Sequence, residues 1–256
     1  MFTRAIVKRP AKNFADGLTT VDFGVPVWER VVEQYEAYCA ALVQCGLALT
    51  RLEADDRFPD STFVEDTAVI TERGAILMRP GAASREGEVA AMKPVLEGIF
   101  GTMPAIEAPG SVDGGDICEA GEHFFIGLSH RTNEEGARQL AEHLKALGYT
   151  SSTVDVRMMT SILHLKSGIA WIGERTLVVM EEMAGREEFL GWDLLRVSTR
   201  ESYAANCVRV NDRVLIAKGY EEFEGDLNVR GFAPLALEMS EFRKMDGGLS
   251  CLSLRF

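Results

Sequence analysis

One cysteine, Cys251, stands near the end of a 256-residue chain, between a Gly247-Gly248 pair and an alternating apolar run (KMDGGLSCLSLRF, 244–256). Its plain reading is a small apolar residue in a terminal strand. Its chemical reading is a nucleophile, which needs a proton-transfer partner, usually histidine, and a group that orients or assists it. The chain offers four histidines. His143 lies inside an amphipathic stretch, His123 at a hairpin turn and His130 in a short loop. His164 lies in SILHLKSG, between apolar residues and just ahead of a hairpin. Taken singly, each has an ordinary reading as a satisfied or solvated imidazole.

Two acidic stretches stand at strand entries. FPDSTFVEDTAVI carries Asp60, Glu65 and Asp66, and VDGGDICEAG carries Asp113 and Asp116. Buried carboxylates are rare unless paired. The competing reading is turn chemistry, since Asp caps turns well. Gly114-Gly115 is no phosphate loop, because GxxxxGK[ST] is absent. Arg85 and Arg131 each lie just outside an expected helix start. A cation there opposes the helix dipole, which suits a placement for binding an anion; an exposed arginine is more often simply solvated.

Four hairpins would carry these residues: 67–81 turning at Glu72-Arg73-Gly74, 116–127 at Ala120-Gly121-Glu122, 168–180 at Gly173-Glu174-Arg175, and 206–219 at Asn211-Asp212. In each, β-branched and aromatic residues flank turn formers. Helical patterns lie between them. Residues 26–46 put Trp28, Val31, Val32, Tyr35, Tyr38, Cys39 and Leu42 on one face, with Gly46 as the stop. A helix over 84–100 is expected to be kinked or shortened by Pro94. A helix over 132–148 is capped by Thr132 or Asn133 and ended by Gly148. Shorter helices fit 184–191 and 219–230. The spacing predicts a repeat architecture, such as a propeller, with FTRAIVKRP and SCLSLRF supplying a fifth unit in which the termini meet. No linker interrupts the chain, so residues 1–256 are read as one domain.

Composition narrows the partners. A formal charge of −12 and pI near 4.9 disfavour a nucleic-acid partner and suit a cationic small substrate. The five cysteines are odd in number and lack CxxC spacing, which argues against a disulfide framework or structural zinc and for a reduced, cytoplasmic protein. The N-terminus has no signal-peptide core, and no apolar run is long enough to span a membrane. Oligomeric state is left open, a homodimer included.

Eight stretches, in order from near the first residue to the last, resemble the dimethylarginine dimethylaminohydrolases of the guanidino-group-modifying superfamily: DGLTT, RFPDSTFVED, RPGAASREGE, APGSVDGGD, FFIGLSHRTNEEGA, LHLKSG, SYAANC and KMDGGLSCLSLRF. The resemblance implies an α/β fold, a five-bladed propeller of ββαβ units around a central pocket. It implies Cys251 as nucleophile, His164 as acid and base, and Asp113 as the carboxylate behind the substrate. Asp66 would hold the guanidinium, Arg85 and Arg131 the α-carboxylate, and Asp60 with the Leu18 carbonyl the α-amine. Glu65 and Met245 would line the pocket, and the stretch around Leu18 would form a mobile lid. Gly247 and Gly248 would let backbone run close to a ligand.

The implied reaction hydrolyses N-methylated arginine to citrulline, with no metal or organic cofactor. In the related arginine deiminases an Asp follows the catalytic His by two positions; here that position is Lys166. The site is therefore one carboxylate short of the deiminase pattern, which suits a methylated nitrogen with fewer N–H donors. The rivals are an arginine deiminase or amidinotransferase on the same scaffold and, in another class, a non-catalytic binding propeller. A binding module has no need of Cys251, His164 and Asp113 together.

Overall fold

The computed structural model describes residues 1–256. The two chain ends meet in one sheet: β1 (Arg4–Lys8) runs parallel to β2 (Ala48–Leu52) and antiparallel to the last strand, β14 (Leu254–Arg255). The expected hairpins all form. They are β3 (Ala68–Thr71) with β4 (Gly74–Leu77), β5 (Ile117–Ala120) with β6 (His123–Leu128), β8 (Ile169–Gly173) with β9 (Thr176–Met180), and β11 (Val208–Val210) with β12 (Arg213–Ala217). Three hairpins then gain a parallel third strand: β7 (Thr150–Asp155), β10 (Asp193–Val197) and β13 (Pro234–Leu237). Behind β4 that third strand shrinks to one parallel bridge, Leu77 to Ala105.

An antiparallel pair followed by a parallel neighbour thus recurs in five small sheets. A parallel step needs a crossover, and helices supply most of them. α1 (Trp28–Gln44) joins β1 to β2, α2 (Glu86–Phe100) follows β4, α3 (Glu134–Ala146) joins β6 to β7, and α4 (Glu221–Val229) joins β12 to β13. A short α5 (Ser240–Arg243) precedes the C-terminal segment. Between β9 and β10 only 3-10 turns occur, so the helix expected over 184–191 reduces to Glu187–Phe189.

The α1 pattern is nearly as expected. Val31, Tyr35, Tyr38, Cys39 and Leu42 are buried, but Val32 is exposed and Gln34 takes the inward position. Gln34 can be buried because its amide bonds Ser240 Oγ (2.9 Å) and the Glu241 N–H (3.0 Å). Pro94 neither stops nor shortens α2, which runs to Phe100. It lies on the exposed face, as does Ala90, so the carbonyl that lost its partner can turn to water. At α3, Asn133 is the cap: its side chain accepts from the Gly136 N–H at 2.7 Å.

Four apolar clusters hold these layers together. The largest joins β8–β10 to β12 and α4; the next packs α1 against β1, the β11–β13 sheet and the segment leading to Cys251. A buried Leu, Val or Phe in such a cluster contributes about 1.5–3 kcal/mol. Their shared effect is to fix the strand entries, where the polar side chains lie.

Candidate active site

Five 3-10 turns occupy equivalent places, each leading toward the first strand of a hairpin or toward β14. They are Val64–Thr67, Gly114–Asp116, Leu165–Ser167, Thr199–Ala205 and Ser250–Leu252. The turn before β3 touches those before β14 and β5. The turn before β5 touches that before β8, which touches that before β11. Asn206 closes the circle: its Nδ2 donates to Ser250 Oγ, and its Oδ1 accepts from the Ser250 N–H, each at 3.1 Å. One circle of turns therefore carries carboxylates, imidazole and thiol from remote parts of the chain. Cys251 lies on the turn itself, not in the terminal strand, which is only Leu254–Arg255.

His164 Nε2 lies 2.9 Å from Asp113 Oδ2, and the other Asp113 oxygen accepts from the Gly81 N–H at 2.7 Å. Asp66 accepts from the Gly115 N–H (2.8 Å) and from Arg85 Nη1 (2.5 Å). Asp116 is fully buried and accepts from Ser129 Oγ (2.7 Å), Thr132 Oγ1 (2.7 Å) and the Leu165 N–H (2.9 Å). Thr132 Oγ1 in turn accepts from the Asp113 N–H at 3.1 Å. One carboxylate, Asp116, thus ties together the loops that bear Asp113, Arg131 and His164. Glycine is required where these loops cross: a Cβ on Gly115 would stand 2.7 Å from His164 Nδ1, and one on Gly114 would stand 2.0 Å from the Glu65 carbonyl oxygen.

The charges are strongly coupled. Burial alone would push His164 down, but Asp116, the bond to Asp113 and Asp66 outweigh it and raise the imidazole to about 9. Burial likewise favours neutral Asp66, yet Arg85, the charge on His164 and the Gly115 N–H hold it below the ordinary carboxylate value. Burial, then Glu65 and Asp66, push the Cys251 thiol up to about 12. At neutral pH the site therefore holds imidazolium and thiol. A cation bound between Asp66 and Asp113 would shift the sulfur toward thiolate.

The other anticipated residues fall as follows. Asp60 is buried and both its oxygens accept from the Leu18 N–H (3.1 and 3.2 Å); burial raises its pKa. The segment after Leu18 is tied down by Thr19 Oγ1 to the Lys244 carbonyl (3.0 Å) and by Thr20 to Asp246. Arg131 is partly buried, with Nη1 3.9 Å from Asp113 Oδ2. Arg85 is less free than the pattern suggested. Its Nε and Nη2 bond Glu88, Nη2 also bonds the Phe63 carbonyl, and Nη1 bonds Asp66, which leaves one Nη1 hydrogen. Glu65 is buried with both oxygens occupied, one by Lys166 Nζ and one by Ser250 Oγ at 2.9 Å. Met245 is buried in the apolar cluster built on α1 rather than among these polar groups. The close approaches at Gly247 and Gly248 are to protein: Cβ atoms there would meet the Phe63 ring and the Asn206 side chain, each at 2.5 Å.

Three participants escaped the sequence reading. Glu88 follows Arg85 by one helical turn, a spacing that could have flagged the pair. Asn206 lies in SYAANC, a stretch that carried the resemblance without a role of its own, and Ser250 carried no signal beyond its place beside Cys251. Asp66, Asp113 and His164 each offer one ligating atom within 4.8 Å of the others, a set able to hold a metal ion. Those groups are already balanced by Arg85 and by one another.

A cavity of about 140 Å³ lies between Val21–Phe23 and the loops that carry the chemistry, with Leu163, Asn206 and Gly248 in its wall. A larger groove, about 370 Å³, lies between the 52–57 loop and α2, beside Lys8, Asp55 and Glu88. Cys251, His164 and Asp113 line neither space, but Leu163, next to His164, and Gly247-Gly248, ahead of Cys251, are in the wall of the smaller one.

Known proteins place this site in context. A family model described as arginine deiminase matches residues 54–214, a span that includes Asp66, Asp113 and His164 and stops short of Cys251. An N(G),N(G)-dimethylarginine dimethylaminohydrolase from Pseudomonas aeruginosa is 42% identical over 257 residues, covering 100% of both chains. The chain belongs to the dimethylarginine dimethylaminohydrolase family. A crystal form of the Pseudomonas aeruginosa enzyme, a cysteine-to-serine mutant complexed with citrulline, superposes with TM-score 0.97 at 41% identity and full coverage of both chains. A dimethylarginine dimethylaminohydrolase from Streptomyces coelicolor is 30% identical, covering 98% of this chain and 96% of its own. The fold extends beyond the family. The N-terminal domain of ArgZ, a cyanobacterial arginine dihydrolase, superposes with TM-score 0.89 at 18% identity, over 100% of this chain and 97% of that domain.

Proposed function

We propose that this chain hydrolyses N-methylated L-arginine, asymmetric dimethylarginine and monomethylarginine, to L-citrulline with release of dimethylamine or methylamine. The observation that carries the reading is the buried His164–Asp113 pair, 2.9 Å apart, with Asp66 beside it and Cys251 on the adjoining turn. Membership of the dimethylarginine dimethylaminohydrolase family supports it.

The chemistry follows from the charges. A guanidinium is a poor electrophile because its charge is spread over three nitrogens. Asp66 and Asp113 accept its N–H groups and hold it flat and cationic, with its central carbon facing Sγ. The cation lowers the thiol pKa, the thiol proton passes to solvent, and the thiolate attacks the central carbon. Imidazolium His164 gives its proton to the departing amine, which otherwise would leave as an unstable anion. An S-alkylthiouronium on Cys251 remains. Neutral His164 then takes a proton from water; the hydroxide adds to the same carbon, the C–S bond breaks, and citrulline and the thiol are restored. Nothing in these steps calls for a metal or organic cofactor. Arg131 and the one free hydrogen of Arg85 Nη1 meet the α-carboxylate, and Asp60 with the Leu18 carbonyl meets the α-amine. The stretch around Leu18 acts as a lid.

The five sheets are read as blades of a β/α propeller in one catalytic domain, 1–256, with the ring of turns at its centre. Five free cysteines and the acidic charge fit a cytoplasmic enzyme acting on a small cation, not on nucleic acid; no helix is long and apolar enough to cross a membrane. Arginine deiminase is the second reading, favoured by the family-model match over 54–214. Incubating the protein with dimethylarginine, monomethylarginine and arginine, and measuring citrulline, separates the two. Turnover of arginine alone, or a requirement for an amine acceptor, would overturn the proposal.

A further inference from the structure

Four buried acids on the turns of this site, Glu65, Asp66, Asp113 and Asp116, are not used alike. Asp66 accepts from one backbone N–H and from Arg85, Asp116 accepts only from neutral N–H and O–H donors, and Asp113 is paired with the catalytic imidazole. Glu65 alone faces a lysine. Lys166 lies two residues after His164, and its ammonium reaches from the turn before β8 across to Glu65 Oε1 on the turn before β3. Its backbone is clamped as it does so, because its carbonyl accepts from Asn206 Nδ2 at 3.0 Å. The other Glu65 oxygen is taken by Ser250 Oγ, which stands 3.9 Å from Cys251 Sγ. Glu65 is thus a carboxylate close to the reacting sulfur that cannot accept from a substrate while Lys166 holds it.

We infer that Lys166 is a specificity-determining residue: by occupying Glu65 it removes a third carboxylate from the guanidinium site and so selects against unmethylated arginine. This rests on the proposed function. A dimethylated nitrogen has no N–H and asks for no acceptor. Both terminal nitrogens of arginine carry two N–H groups, and those with no acceptor would be buried unsatisfied, the main way a tight site rejects an analogue. Removing the ammonium leaves Glu65 as a buried carboxylate in need of a cation, and the extra N–H donors of arginine can meet that need. The contrasting possibility is a purely structural ion pair that joins two turns. Breaking such a pair would lower turnover of both substrates together.

The deciding quantity is the ratio of kcat/KM for arginine to kcat/KM for asymmetric dimethylarginine, which does not depend on the fraction of protein that is folded. Lys166→Met is expected to raise this ratio by about tenfold or more, in line with the loss of one unsatisfied group. Lys166→Arg, which keeps the charge, is expected to stay near the wild-type ratio. Adding Glu65→Gln to Lys166→Met is expected to bring the ratio back down. A ratio unchanged in Lys166→Met, or still raised after Glu65→Gln is added, would overturn the inference. The wild-type arm tests the proposed function separately: no citrulline from dimethylarginine would remove that reading and this one with it, whereas normal turnover with an unmoved ratio removes only this one.

Discussion

The Nε2 atom of His164 lies 2.9 Å from Oδ2 of Asp113, a carboxylate with no exposure to solvent, on a loop some fifty residues upstream. Around this pair the protein concentrates negative charge, and the imidazole responds by holding its proton to about pH 9.

That shift has a sign in stability. His164 is raised above its unfolded value of about 6.5, so its contribution is fully present below pH 6.5 and is lost as pH rises through about 9. Its full size is on the order of 3 kcal/mol. Urea denaturation of wild type and His164→Gln between pH 6 and 10 is expected to show wild type losing more stability toward high pH. Parallel curves would contradict the assignment.

Asp116 contributes to that raised value while touching neither thiol nor substrate site. Asp116→Asn is expected to lower the His164 pKa, visible by NMR as an imidazole titrating closer to neutrality, and to move the alkaline fall in kcat to lower pH. Loss of accepted bonds is also expected to cost roughly 1–3 kcal/mol. A purely structural role would reproduce the stability loss with an unmoved pH profile.

Cys251 is expected to be a thiol before a cation binds, its pKa pushed to about 12 first by burial and then by Glu65 and Asp66. Alkylation at pH 7 is expected to be slow, and faster with a cationic haloamidine than with neutral iodoacetamide. Cys251→Ser is expected to abolish turnover and this labelling while leaving the circular dichroism spectrum intact. Activity that survives the change would remove Cys251 from its role.

Gly115→Ala tests the packing behind the imidazole. Its Cβ would stand 2.7 Å from His164 Nδ1, and the ring has to move. A displacement near 1 Å at a catalytic group costs about a hundredfold in rate. Steady-state assays are expected to show that loss mainly in kcat. A near wild-type kcat would show that the ring can shift without consequence.

The hairpins were legible because each is a local object. Glu72-Arg73, Gly121-Glu122, Glu174-Arg175 and Asn211-Asp212 are turn formers flanked by apolar alternation, and the structure turns at each. The face of α1 was legible for the same reason, save at Gln34, whose burial depends on Ser240 and Glu241 some two hundred residues away. The reach of α2 past Pro94 depended on which face met water, and periodicity carries no such information.

The sequence by itself determined which chemistry was available: one cysteine at a glycine-rich strand entry, a histidine beside Lys166, and acids at two other strand entries. It also determined the order in which the chain delivers them. Only the tertiary structure decided their partners. It turned Glu65 toward Lys166 and Ser250, committed most of Arg85 to Glu88 and Asp66, gave Asp116 the loops of Asp113 and His164, and sent Met245 into the core. The physical reason is range. Turn and helix propensities act over a few neighbouring residues, whereas a buried charge takes whichever counter-charge the closed circle of turns brings within hydrogen-bonding distance.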